Sequence, residues 1–119
     1  MSEEIPFQIT RHGEVTVIEP SGTISERDRI TIFSDELIKF VTDEKPLKLQ
    51  VNFEYVKFFG SETLTALIRT QRRVHEYGGR MNLCGMTDDL RRIFKLCNLD
   101  GPVFHIYNSC RDAMAALED

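Results

Sequence analysis

Apolar and polar positions alternate, then change period, in a repeating order along the chain. Phe7 and Ile9, then Val15, Val17 and Ile18, form two short runs split by His12-Gly13-Glu14, a hairpin signal with Gly13 in the turn. Pro20-Ser21-Gly22 is expected to stop the second strand. A helix should begin near Ser25, where Ser25-x-x-Asp28 resembles a capping box, and carry Ile30, Phe33, Leu37, Ile38 and Val41 at helical spacing until Lys45-Pro46. Leu47, Leu49, Val51 and Phe53 alternate with Lys48, Gln50 and Asn52, which predicts a strand with one apolar and one polar face.

The second half repeats this order. A helix is predicted from about Ser61 to Tyr77, with Leu64, Leu67, Ile68 and Val74 inward and Gly78-Gly79 as its stop. Met81 and Leu83 mark a strand, and Thr87 or Asp88 caps a third helix carrying Leu90, Ile93, Phe94 and Cys97, closed by Asp100-Gly101-Pro102. A last strand over Val103 to Tyr107 precedes a short helix opened by Ser109-x-x-Asp112 and carrying Met114 and Leu117. Strands and helices that alternate after a hairpin imply a mixed, mainly parallel α/β sheet with right-handed crossovers. The polar face of the Leu47–Phe53 strand further implies helices mainly on one face, the other being partly open or available to a partner.

Composition narrows the function. The chain of 119 residues suits one domain over 1–119, and 41% hydrophobic with 29% charged residues can bury a core. A net charge of -4 gives no overall pull toward nucleic acid or an anionic membrane. No apolar run approaches the roughly 20 residues of a membrane span, and Met1 to Pro6 lacks signal-peptide order, so a cytoplasmic protein without membrane insertion is expected. Cys84, Cys97 and Cys110 show no C-x-x-C spacing and are expected to be buried thiols. His12, His75 and His105 are scattered, so neither metal nor cofactor is expected. No G-x-G-x-x-G, P-loop or G-x-S-x-G motif occurs, and no positioned base, nucleophile or metal set points to an enzyme.

One segment carries chemistry. In Val56-Lys57-Phe58-Phe59-Gly60-Ser61-Glu62-Thr63-Leu64 a strand ends, a glycine permits a tight turn, and a serine stands where a helix begins. Helix starts present unpaired N–H groups and partial positive charge, and they tolerate an anion well. A phosphate on Ser61 adds about -1.5 to -2 charges there without disturbing a core. Ser61 is equally explained as an ordinary N-cap. Tyr55, Phe58 and Phe59 are open to two readings, interface or core.

The order and spacing of these pieces resemble a STAS domain, the fold of bacterial anti-sigma factor antagonists. The resemblance lies in Gly22-Thr23-Ile24, Val56 to Leu64, Gly78-Gly79-Arg80-Met81 through Cys84-Gly85, Leu90, Ile93, Phe94 with Leu99-Asp100, and Asp112 to Leu117. The family's usual turn is an apolar pair followed by Asp-Ser-Ser/Ala-Gly-Leu; here Gly60 replaces the Asp, Glu62 the Ser or Ala, and Thr63 the Gly. The resemblance implies a non-enzymatic regulator that binds an anti-sigma factor, a serine kinase of the histidine-kinase-like ATPase type. It places phosphorylation on Ser61, with Thr63 as fallback, and reversal by a PP2C-type phosphatase. It also implies a contact surface of Thr23, Ser25, Glu26, Gly60, Ser61, Glu62 and Thr63, with Met86 and Thr87 at the same edge. Family relatives supply two alternatives: an accessory subunit of a membrane lipid-transport ATPase complex, or a scaffold in a stress-sensing assembly.

Overall fold

A computed structural model describes residues 7–24 and 27–118. Ten elements follow one another: β1 (Phe7–His12), β2 (Val15–Ile24), α1 (Arg27–Glu44), β3 (Lys48–Asn52), β4 (Tyr55–Phe59), α2 (Ser61–Glu76), β5 (Arg80–Cys84), α3 (Asp88–Leu96), β6 (His105–Tyr107) and α4 (Cys110–Glu118). The sheet order is β1-β2-β3-β5-β6, with β4 also paired to β2. Only the β1–β2 hairpin is antiparallel; every other pair of strands is parallel. The expected mixed, mainly parallel sheet is therefore present, and Gly13 at φ 63 makes the hairpin turn.

Pro20-Ser21-Gly22 does not stop β2. The strand runs on to Ile24, because Gly22 takes φ 78 and the register shifts between Gly22 and Thr23. A bulge of this kind bends a strand without ending it, and a glycine supplies the left-handed conformation cheaply. On the hairpin-distal edge, β2 pairs through Thr16–Ile18 with β3 and then through Ser21–Ile24 with β4. The sequence pattern merges β3 and β4, since the break at Phe53-Glu54 is only two residues long. Two further boundaries move: α3 ends at Leu96, with Asn98 in the left-handed region at φ 59, and the last strand begins at His105. The Ser25 capping box lies outside the described residues.

One large apolar cluster joins the sheet to three helices. Leu49 and Val51 of β3 meet Phe33, Leu37 and Val41 of α1, Leu64 and Leu67 of α2, and Leu90 and Phe94 of α3. Edge-on ring contacts link Phe59 to Phe94 and Phe94 to Phe104, at 5.8 and 5.7 Å between centroids. Leu47, expected inward, is 61% exposed, because β3 starts one residue after it.

The polar face is not left open. The fourth helix, α4, lies across it against β2, β3, β5 and β6, and buries Gln50, Asn52 and Asn82. Three ties hold it along β5: Cys84 is disulfide-bonded to Cys110, Asn82 Nδ2 donates to Ala113 O at 2.9 Å, and an Arg80 guanidinium nitrogen donates to Leu117 O at 2.9 Å. Val15, Val17 and Leu117 form a small second apolar cluster beneath it, with Met114 packed alongside. The cysteine expectation is corrected here: Cys84 and Cys110 are bonded and Cys97 is exposed, so only Cys84 resembles the small buried residue predicted.

Two stability predictions follow from these contacts. A Cβ at residue 22 meets only Arg29 Nη2, at 3.7 Å, so its cost is backbone strain rather than clash. Gly22→Ala is expected to lower the unfolding free energy by about 1–2 kcal/mol, read as a lower urea midpoint at unchanged slope. Tyr77 donates its hydroxyl to Pro46 O at 2.8 Å, and burial pushes its phenol up to about 12. The fold favours the neutral phenol, so this contribution is complete below about pH 10 and is lost as pH rises through about 12. Urea midpoints should fall across that window, and Tyr77→Phe should flatten the fall.

Candidate functional site

The ends of β2 and β4 and the start of α2 meet at one corner of the sheet. Thr23 pairs in register with Phe58, and Ile24 with Phe59, so the backbone leaving β2 runs beside the turn that enters α2. Val56 and Phe59 point into the core at 2% and 1% exposure, which fixes β4 from below. Tyr55 and Phe58 stay exposed, at 59% and 50%, with Lys57 between them. The three aromatic residues therefore divide: Phe59 is core, and the other two are surface. The bulge explains why, since it sets two inward side chains three residues apart and breaks the period-2 reading.

At the turn itself, Gly60 is the N-cap of α2, with φ -92 and ψ 176 and no side-chain cap hydrogen bond. Thr63 N donates to Gly60 O at 3.0 Å. Ser61 is the first residue of the helix and is exposed, as is Glu62. The N-cap explanation of Ser61 is thereby corrected: the cap position is Gly60, one residue earlier. Its hydroxyl stands at the positive end of a 16-residue helix, where an added anion meets outward N–H groups and the helix dipole. Glu62 already occupies that first turn and opposes a second negative charge beside it.

The other predicted positions sort differently. Thr63 is fully buried, so it offers no hydroxyl to a modifying enzyme in the folded chain. Met86 is also buried, at 9%, and belongs to the main core rather than to a contact surface. Thr87 is exposed, but its Oγ1 accepts Leu90 N at 3.2 Å as the N-cap of α3. Both follow β5, whose last residue, Cys84, lies opposite Asn52, before β4 begins. Met86 and Thr87 thus follow a strand that pairs with β3, whereas Ser61 follows β4, which pairs with β2. Ser25 and Glu26 lie outside the described residues.

Tyr55, Lys57 and Phe58 are the surface residues that sequence reasoning did not assign to this corner. The signal was the run Tyr-Val-Lys-Phe-Phe itself, too apolar for a loop and too short to show its period. Among the described residues, no three His, Cys, Asp or Glu side chains gather as a metal site. No helix of the described chain is long and apolar enough to cross a membrane.

Comparison with known proteins fits this architecture. A search of curated protein sequences finds no match. Among solved structures, a Thermotoga maritima protein superposes with a TM-score of 0.86, at 18% identity over 95% of each chain. An anti-sigma factor antagonist from Mycobacterium paratuberculosis gives 0.83, at 26% identity over 95% of this chain and 93% of its own. The Bacillus cell fate determinant SpoIIAA, in its phosphorylated form, gives 0.69 at 18% identity, over 92% of this chain and 98% of its own. The STAS domain profile matches residues 6–113, and the chain belongs to the STAS domain family.

Proposed function

We propose that this chain is an anti-sigma factor antagonist whose docking corner is built from the end of β2, the exposed edge of β4 and the first turn of α2. The observation that carries the reading is the contrast within one helical turn: Ser61 is exposed while Thr63 is fully buried. The Ser61 hydroxyl is presented on a packed base, and its modification alters surface charge without touching the core. The partner is an anti-sigma factor that is also a serine kinase of the histidine-kinase-like ATPase type. Unmodified Ser61 lets the two surfaces close, and transfer of a phosphoryl group to its Oγ interposes bulk and about -1.5 to -2 charges. A PP2C-type phosphatase returns the hydroxyl. The reaction runs in the cytoplasm, and this chain supplies the substrate hydroxyl rather than any catalytic group.

The structural likeness to the Mycobacterium antagonist and to phosphorylated SpoIIAA supports this reading. Gly60 in place of the family's Asp leaves the turn without a side-chain cap, so kinase recognition rests on backbone shape and on Tyr55, Lys57 and Phe58 nearby.

The test is capture of partners by purified protein from lysate of the source organism, with identification by mass spectrometry. Wild type and Ser61→Ala should retain a kinase-type ATPase. Ser61→Asp should weaken its binding at least about tenfold, or about 1.4 kcal/mol. An acidic residue at the first helical position suits the dipole, so the Asp variant should stay folded and the loss should report docking. Capture of transporter ATPase components, unchanged by either substitution, would favour the accessory-subunit alternative and overturn this one.

A further inference from the structure

We propose that Cys84 and Cys110 form a reversible thiol–disulfide couple that sets how firmly α4 is held on the sheet. It goes beyond the Ser61 reading and does not depend on it. The two sulfurs are unequally placed. Cys84 is wholly buried at the end of β5, whereas Cys110 is half-buried and lines a cleft of about 530 Å3 beside α4. A small dithiol reaches Cys110 Sγ through that cleft and cannot reach Cys84.

The exchange balances with a dithiol as reductant. Its thiolate attacks Cys110 Sγ, a mixed disulfide forms, and the Cys84–Cys110 bond breaks with its electron pair on Cys84 Sγ, which takes a proton. The second thiol of the reductant then closes on its own first sulfur and expels Cys110 as thiolate, which is protonated in turn. Two electrons and two protons pass to the protein, and the reductant leaves as its cyclic disulfide. Cys110 is the first residue of a nine-residue helix, a position that stabilises the departing thiolate and speeds that second step.

Gln50 Nε2 donates to Cys84 Sγ at 3.2 Å, so a buried N–H faces the sulfur that receives the electron pair when the bond breaks. Reduction removes the one covalent tie of three, and leaves α4 on the Asn82–Ala113 and Arg80–Leu117 hydrogen bonds and its small apolar cluster. The helix stays folded but opens more often, and the polar face with it.

The test uses the full chain carrying Cys97→Ser, so that the exposed third thiol neither cross-links nor reacts. The protein is equilibrated with mixtures of reduced and oxidised dithiothreitol, alkylated, and read by mass and by hydrogen exchange. The pair should interconvert completely and reversibly with unchanged circular dichroism. On reduction, exchange over residues 110–118 should rise at least about tenfold while exchange over α1 stays put. Cys110→Ser should show the reduced pattern with or without dithiothreitol. Failure to oxidise, reduction only with global unfolding, or unchanged exchange over 110–118 would overturn the couple.

Discussion

Every layer of this molecule depends on β2, which serves two neighbours in succession. Its Val15–Pro20 half pairs with β1, while Thr16–Ile18 pairs with β3 and Ser21–Ile24 with β4. Within the β2–β4 pair the register shifts between Gly22 and Thr23, with Lys57 of β4 as the extra residue. Gly22 takes the left-handed φ of 78 at that step, which suits a residue without Cβ. With that offset, Ile24 comes level with Phe59, and the start of α2 is carried to the end of β2. The proposed docking corner is thus a consequence of sheet register before it is a matter of any particular side chain.

Much of this was legible in the residues, and the failures have physical causes. Long periodic segments were read correctly: Phe33, Leu37 and Val41 in α1 and Leu64, Leu67 and Val74 in α2 are all buried. The caps on α3 and α4 were also visible, since Thr87 and Ser109 each accept a main-chain N–H with their side-chain oxygen. What could not be seen were events between segments. Pro20-Ser21-Gly22 has the composition of a stop, and only the second partner strand turns it into a bulge. The period of β4 was lost for the same reason. At the corner, Ser61 is exposed as the family resemblance implies for a modified serine, whereas Met86, assigned to the same surface by that resemblance, is claimed by the core.

The polar face shows a different limit. Lys48, Gln50 and Asn52 alternate as if one side of the sheet met water, and nothing local contradicts that inference. Burial comes from a helix more than fifty residues away, and polar side chains tolerate it only when given partners. Spacing supplies them. Alternate residues of β5 and successive turns of α4 advance by similar steps, so residues 84, 82 and 80 meet 110, 113 and 117 in antiparallel order. The face Cys110, Ala113, Met114 and Leu117 has the i, i+3, i+4, i+7 spacing of an inward stripe, but only two of its members are large and apolar. The small size of Ala113 lets the helix backbone come within reach of the Asn82 amide.

These two regions divide the work of the fold. Under the proposed function, a surface changed by one added group must not yield when the group arrives, or the change would be spent on rearrangement. Beneath Ser61, the turn is held by Phe59 and Val56 on one side and by Thr63 and Leu64 on the other, all buried. The aromatic chain from Phe53 through Phe59 and Phe94 to Phe104 ties that base, within one core, to the segment that leads into β6. Such close-packed interiors deform little, so charge placed above them stays where it is put. The exposed residues are left to Ser61, Glu62, Lys57, Tyr55 and Phe58, none of which the main core needs. Their chemistry is free to serve a partner because stability has been assigned to the residues immediately beneath.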